Sequence, residues 1–361
     1  MKICDIREIP GIDKDVLEYM EEKKHEKVVF CSDENTNLKA IIAIHNTNLG
    51  PALGGTRMWK YKNISEATKD VLRLSRGMTY KAAITGLDLG GGKAVIIGDS
   101  QNKTHQMIRS FGKFVESQNG TYITAEDVGM TINDMEIIHK ETNHVVGKPI
   151  ALGGSGDPSV ITAYGTLMGI KGSAYYKWGS DSLKNKRVLV QGIGNVGGKL
   201  IKLLHNEGAL IYINDVNEEK VREIAKEYEV QITTDDIYNT DVDIYAPCAL
   251  GGTLNEKTIP RLKCAIVAGA ANNQLAKEHV HDDMLAKCNI LYAPDFLINA
   301  GGLINVYSEL KGFSHDQVMQ KTAKIFDTTI QILEKAKKEN ISTQKAALKI
   351  AKERVFKKNR A

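Results

Sequence analysis

The segment that most restricts what this chain can fold into is "RVLVQGIGNVGGKLIKLLHNEGALIYIND", residues 187–215. An apolar run, a glycine turn, an amphipathic stretch and a second apolar run follow at the lengths of a strand–helix–strand unit. The turn holds Gly192, Gly194 and Gly197 in GxGxxG spacing. The first glycine permits a tight turn, the second lets a pyrophosphate approach the backbone, and the third allows close packing of helix on strand. The helix N-terminus then faces negative charge, so Gly192, Ile193, Gly194, Asn195, Val196 and Gly197 read as a dinucleotide cradle. Asp215 ends the second strand. A carboxylate there accepts hydrogen bonds from the adenosine ribose hydroxyls and repels a 2′-phosphate, which favours NAD over NADP.

Around this unit the pattern alternates short apolar runs with amphipathic helices, which predicts a doubly wound parallel sheet. The six runs are "RVLVQ" (187–191), "ALIYIND" (209–215), "VQITT" (230–234), "DIYAP" (243–247), "CAIVAGA" (264–270) and "NILYAP" (289–294). Small residues follow the later runs in "YAPCALGG" and "AGAANNQL", and ligands bind at the carboxyl edge of such sheets. That edge carries Ala249 and Asn272.

The amino-terminal region differs. Strands are expected at "LKAIIAIH" (38–45), "KAVIIG" (93–98) and "TYITA" (121–125), with helices over 65–83 and 104–118. From about 314 the chain reads as two helices. At 361 residues it exceeds the usual size of one core, so two domains are expected: residues 1–150, and residues 151–334 carrying the nucleotide site. The final helix, 335–361, is expected to pack back on the first domain.

Composition excludes several roles. The formal charge is +4, with lysines and acids interspersed, so the footprint of a nucleic-acid binder is missing. Five cysteines lie far apart without a CxxC pair or a histidine cluster, which fits reduced thiols and no metal. No apolar stretch approaches the roughly 20 residues of a membrane span, and the N-terminus lacks a signal-peptide layout. A soluble cytoplasmic protein without membrane or nucleic-acid partners is expected.

Two lysines break the apolar pattern. The helix at 65–83 carries Ala67, Val71, Leu74 and Met78 as a candidate buried stripe, and Lys81 takes the next position on it. Lys93 opens "KAVII", apolar on both faces, directly after Gly90, Gly91 and Gly92. A lysine at a buried position is expensive unless its charge is paired or its stem snorkels. Two of them 12 residues apart suggest one cavity. Burial beside a second cation lowers an ammonium toward the range useful for a base. Asp127 in "TYITAEDVGM" is the acidic complement, unless it merely caps the helix near 131. A phosphate loop is the competing reading of "GLDLGGGKAVI", but GxxxxGK[ST] requires a glycine at 87 and a hydroxyl residue at 94, where this chain has Leu87 and Ala94.

Taken together, "LKAIIAIHNTNLGPALGGTRMW", "RLSRGMTYKAAITGLDLGGGKAVIIGD", "YITAEDVG", "GIGNVGG", "IYAPCALGG", "AGAANNQL" and "YAPDFLINAGGLINV" resemble the glutamate/leucine/phenylalanine/valine dehydrogenase family, most closely its leucine-acting branch. The resemblance runs over nearly the whole chain. It implies an α/β protein of two domains: a catalytic domain with a mixed sheet, and a Rossmann-type dinucleotide-binding domain across a cleft. The implied reaction is reversible oxidative deamination of an apolar L-amino acid to its 2-oxo acid and ammonia, with NAD taking the hydride. By position, Lys93 matches the lysine that activates water, Asp127 the acid that handles the substrate amine, and Lys81 the lysine that grips the substrate carboxylate, assisted by Asn272. Gly54 and Gly55 match residues lining the substrate site, and Thr162 a contact to the nicotinamide amide.

Leu53 and Val306 stand where glutamate-acting relatives place a lysine and a serine, so the side-chain pocket is expected to be apolar. Ala125 matches the leucine-type pocket. Leu303 stands where leucine-acting members usually have valine and phenylalanine-acting ones often have leucine. The resemblance implies a large homo-oligomer, an octamer. The rivals are a phenylalanine-acting enzyme of the same family and a catalytically silent NAD-binding regulatory protein.

Overall fold

The computed structural model describes residues 1–5, 14–233 and 236–357. Residues 6–13 of the amino-terminal stretch, Thr234 of the third expected strand and the basic end from 358 lie outside them. Contacts divide the chain into two compact units: Met1–Gly156 with Val306–Gly312 and the residues from Ala351, and Asp157–Asn305 with Phe313–Ile350. The second unit thus starts at Asp157 and extends to Ile350, where the sequence reading put its limits at 151 and 334.

The first unit is built on β1 (Lys2–Asp5), α1 (Lys14–Glu22), β2 (Lys27–Asp33), β3 (Leu38–Asn46), β4 (Ala52–Trp59), α2 (Ile64–Ile84), β5 (Gly90–Ile97), α3 (His105–Glu116), β6 (Tyr122–Glu126) and α4 (Ile132–His139). Six strands form a mixed sheet in the order β1-β2-β3-β5-β4-β6. The pairs β1–β2, β2–β3 and β3–β5 are antiparallel; β4 pairs parallel with β5 and β6. Both faces are covered, which explains the unbroken apolar runs. Ile41, Ala43 and Val95 cluster with Val71 and Leu72 of α2, while Ala40, Ile42, Ala94 and Ile96 cluster with Phe111 and Phe114 of α3.

Sequence periodicity misses β4, "ALGGTRMW", because two glycines and an arginine hide its alternation. It also starts β5 too late. The strand begins at Gly90 rather than Lys93, and its glycines serve packing: a Cβ on Gly91 would lie 2.1 Å from the backbone nitrogen of Thr79. Helix α2 therefore rests directly on the strand. Since alternate residues share a face, Gly91, Lys93 and Val95 all look toward α2.

The second unit contains α5 (Pro158–Trp178), β7 (Arg187–Gln191), α6 (Asn195–Asn206), β8 (Leu210–Asn214), α7 (Glu218–Tyr228), β9 (Gln231–Ile232), β10 (Ile244–Pro247), β11 (Ile266–Val267), α8 (Glu278–Lys287), β12 (Leu291–Tyr292) and α9 (Asp295–Ile298). Its six strands are all parallel, in the order β12-β11-β10-β7-β8-β9. The order reverses at β7, so the glycine turn that follows it sits at the switch point where such sheets bind ligands. Then come α10 (Gly301–Lys311), α11 (His315–Ala323), α12 (Ile325–Glu339) and α13 (Thr343–Lys357). The first of the two expected terminal helices is thus broken in two at Lys324. Among the described residues no helix is long and apolar enough to cross a membrane.

The Gly91 contact yields a paired prediction. Gly91→Ala forces α2 and β5 apart and lowers stability by about 3 kcal/mol. Gly77→Ala, in α2 with nothing within 4 Å of the added carbon, removes chain entropy and adds about 0.5 to 1 kcal/mol. Denaturant midpoints of the two variants should move in opposite directions.

Candidate active site

Lys93 lies in the middle of β5, only 6% exposed, and donates from Nζ to Asp127 Oδ2. Asp127 follows β6 directly and accepts from the Val128 N–H at 2.6 Å. The neighbouring Glu126 points away, exposed. Asp127 does not cap α4: Thr131 does, in a capping box with Asp134. Lys103 Nζ donates to Gly129 O at 2.8 Å and pairs with Asp134, which pins the loop carrying Asp127.

Burial pulls the Lys93 ammonium below the ordinary lysine range; Asp127 opposes this, and Arg57 adds to the lowering. Burial alone would raise the Asp127 carboxyl, but the Lys93 and Arg57 charges outweigh it and hold Asp127 below the usual carboxylate range. An ionised acceptor and an amine biased toward neutrality thus sit side by side, a combination suited to moving protons.

Sequence reading missed the rest of this charge cluster. Arg57 on β4 places one guanidinium nitrogen 3.0 Å from Asp70 of α2 and the other 3.7 Å from Asp127. Asp70 also accepts from Tyr61 at 2.8 Å and pairs with Arg73 at 3.1 Å. Burial pushes the Tyr61 phenol up, and Asp70 adds to it. Arg57 looked like an ordinary polar strand residue. Only its parity with Gly55, two residues earlier on the same strand, could have signalled its direction.

The reading of α2 needs correction. Its buried face runs through Ala67, Val71, Ser75, Thr79 and Ala82, while Leu74, Met78 and Lys81 are half-buried. Lys81 is therefore off the buried stripe. Hydroxyl residues took the apolar positions because each finds a partner: Ser75 donates to Leu72 O at 2.9 Å within the helix, and Thr79 shares a 2.7 Å bond with His45 Nδ1 of β3. Burial drives His45 down to about 3, so that ring is neutral.

The remaining candidates on the first unit are strand residues. A Cβ on Gly54 would lie 1.8 Å from Gly92 O, and one on Gly55 3.0 Å from the Asp127 Cβ. Both glycines are required by neighbouring backbone, and Gly55 abuts the pair itself. Leu53 and Ala125 are buried on β4 and β6. Leu303, buried, and Val306, half-buried, lie one turn apart on α10; they fall in the second and first units respectively.

In the second unit Gly192 has φ +92°, and a Cβ on Gly197 would lie 1.9 Å from Gly192 O. The turn is closed by sterics that exclude side chains. Gly194 is the opposite case: exposed, nothing within 4 Å of an added carbon, and capping α6 without a side-chain bond. That leaves the first-turn N–H groups beside open space, as a pyrophosphate requires. Ile193 is buried, Asn195 exposed, Val196 half-buried, and Ala249 faces Gly192 at 2.7 Å from its would-be Cβ.

Asp215 accepts from Ile193 N–H at 2.7 Å and Asn217 N–H at 2.9 Å, which leaves lone pairs on both oxygens for ribose hydroxyls. It borders a cavity of about 420 Å³ with Asn214, Glu218, Val221, Arg222, Ile232 and Thr233. Thr162 donates its hydroxyl to Pro158 O at 2.8 Å and so offers only acceptance outward, which fits an amide N–H. Exposed Asn272 is oriented by Asn299, whose Nδ2 donates to Asn272 Oδ1 at 2.8 Å and Ala270 O at 3.1 Å. The Asn272 amide therefore turns its N–H donors away. Asn299 is another residue that sequence reading did not single out.

Comparison with known proteins gives matches across the chain. The family model described as Glu/Leu/Phe/Val dehydrogenase, dimerisation domain, matches residues 25–144, and that described as Glutamate/Leucine/Phenylalanine/Valine dehydrogenase matches 153–217 and 209–361. The leucine dehydrogenase of Bacillus subtilis is 49% identical over 96% of this chain and 96% of its own length. The phenylalanine dehydrogenase of Caldalkalibacillus thermarum is 49% identical over 93% of each. The crystal structure of L-tryptophan dehydrogenase from Nostoc punctiforme superposes with a TM-score of 0.86 at 45% identity, covering 95% of this chain and 99% of that one. Likeness of this depth spans both units, and the chain belongs to the Glu/Leu/Phe/Val dehydrogenase family as an amino-acid dehydrogenase close to leucine dehydrogenase.

Proposed function

We propose that this protein catalyses the reversible NAD-dependent oxidative deamination of an apolar L-amino acid, L-leucine with valine and isoleucine, to the 2-oxo acid and ammonia. The observation that carries the reading is the Lys93–Asp127 pair, a buried amine pushed toward neutrality against a half-buried carboxylate kept ionised. A nicotinamide cofactor, when bound, accepts the hydride that leaves the substrate α-carbon. Gly192 to Gly197, with Ile193, Asn195 and Val196, would hold its pyrophosphate, Asp215 its ribose, Thr162 its carboxamide, and Ala249 and Asn272 the neighbouring edge.

The chain's own residues then do four things. Lys81 binds the substrate carboxylate. Asp127 accepts the hydrogen bonds of the substrate amine. Neutral Lys93 takes a proton from the water attacking the imino carbon and returns it to the departing nitrogen. Leu53, Ala125 and Val306 present apolar surface to the side chain beside Gly54 and Gly55, with Leu303 one turn before Val306 on α10, and Leu53 and Val306 stand where glutamate-acting relatives place a lysine and a serine. A cytoplasmic homo-octamer is part of the same proposal; light scattering on the purified protein tests its assembly.

A phenylalanine-acting enzyme is the second reading. Leu303 supports it, and the leucine- and phenylalanine-acting relatives are equally similar, at 49% each. Differences of a methylene or two in such a pocket are worth about 1–3 kcal/mol.

The first test follows NADH absorbance with NAD and each of L-leucine, L-valine, L-isoleucine, L-phenylalanine and L-glutamate. Turnover is expected with the branched-chain substrates. No NADH from any of them sinks the reading and leaves the silent regulatory protein. Lys93→Ala should abolish turnover while NADH still binds.

The pH dependence follows from the signs. The working form of Lys93 is neutral and its burial lowers the ammonium's pKa, so kcat for oxidation should rise with pH through a midpoint below the ordinary lysine value of about 10.4. A profile flat from neutrality to that value would remove Lys93 as the base. Asp215→Asn keeps an acceptor for the Ile193 N–H and removes the charge, so the preference for NAD over NADP should narrow by about tenfold in kcat/KM.

A further inference from the structure

Arg57 faces two carboxylates and bonds only one of them. Its guanidinium lies 3.0 Å from Asp70 and 3.7 Å from Asp127, the second distance beyond a hydrogen bond. Asp70 is itself fixed, by Tyr61 at 2.8 Å and Arg73 at 3.1 Å. It rides on α2, which the Gly91–Thr79 approach seats directly on the strand of Lys93. Charges thus alternate from the buried end outward: Lys93, Asp127, Arg57, Asp70, Arg73.

We propose that Arg57, held back by Asp70 and Tyr61, is a positioning residue for the deamination proposed above: it lends its charge to the Lys93–Asp127 pair without taking up the hydrogen bonds of Asp127. A guanidinium that closed fully on Asp127 would grip it with two parallel bonds. Lys93 and the substrate amine would then have to compete for the same oxygens. Kept at arm's length, the charge disfavours both a proton on Asp127 and an ammonium on Lys93; the ionised carboxylate and the neutral amine that it favours are the states the chemistry needs.

A purely structural ion pair does not explain this placement. The Arg57 Nε is buried and meets no acceptor among the described residues. A side chain set only for pairing with Asp70 would turn that donor to the second carboxylate oxygen. The fork is instead split between two carboxylates. Other titratable groups act on the pair as well. Asp70 of α2 favours the Lys93 ammonium, opposing Arg57, and Tyr61, Tyr122 of β6 and Glu126 sense the Asp127 charge. Lys81 stands on the last turn of α2. Removing Arg57 should therefore move the balance without erasing it.

The test uses the full-length protein with Arg57→Gln, Arg57→Lys and Asp70→Asn, and NADH titration reports that each variant is folded. Two profiles are read against pH: kcat with L-leucine and NAD, and the rate at which acetic anhydride labels Lys93, followed by peptide mass spectrometry. Labelling requires no turnover. R57Q should move both midpoints up by about half to one pH unit. R57K should return the labelling midpoint to the wild-type value and leave kcat low, since an ammonium restores the charge but cannot span both carboxylates. D70N, which frees the guanidinium to close on Asp127, should lower kcat by about tenfold or more with NADH binding intact.

Profiles of R57Q that superimpose on wild type overturn the proposal. So does an R57K labelling midpoint that stays with R57Q. Wild-type protein that turns over no amino acid defeats the proposed reaction instead, and the labelling midpoints then decide the role of Arg57 by themselves.

Discussion

An ammonium placed in the middle of a strand that is covered on both faces is the constraint around which the first unit is arranged. Burial makes the charge expensive, and the attraction of one carboxylate does not make such a pair a source of stability. Apolar residues of similar volume would hold the sheet as well or better. In the proposed reaction the pair is a proton-transfer couple whose two members are both biased toward the deprotonated form, and the neighbouring features serve it. Glycines bring α2 and β4 close enough to shape the surroundings, and Lys103 anchors the loop that carries Asp127.

In the proposed reading the second unit meets a different requirement, the binding of a polyanion without side-chain charge in the turn. Its solution is steric at Gly192 and Gly197, open at Gly194, and tied off by Asp215 through the Ile193 N–H. A residue assigned to ribose recognition therefore also holds the phosphate cradle in shape. In the proposed reading, selectivity for the cofactor and integrity of the turn rest on one carboxylate, and Asn299 in the same way fixes the direction of the Asn272 amide.

The sequence was legible where one residue type meets one local requirement. All six strands of the parallel sheet could be read, because each is a short apolar run, and the glycine turn because its spacing is set by local sterics. Lys93 stood out as a charge that breaks a pattern, and Asp127 as its acidic complement. Long-range requirements were not legible. Strand β4 was hidden because its glycines answer to Gly92 and Asp127, far along the chain. The buried stripe of α2 was misread because Ser75 and Thr79 are chosen for thinness against β5 and for hydroxyls that find partners, in the helix for Ser75 and on β3 for Thr79, neither of which is hydrophobicity. Arg57 and Asp70 matter through a distance between a strand and a helix, which no periodicity encodes.

The close seating of α2 on Gly91 bears on how this protein can change over time. Helix α2 carries Asp70 near its middle and Lys81 near its end, and the strand beneath carries Lys93. With no side chain at residue 91 to act as a cushion, the helix cannot slide or lift without carrying both charges along. Substitutions in the helix–strand seam are therefore felt as altered charge spacing before they are felt as loss of fold. Such a scaffold resists drift in its seam, and under the proposed reaction it leaves substrate preference free to change while the Lys93–Asp127 pair stays fixed.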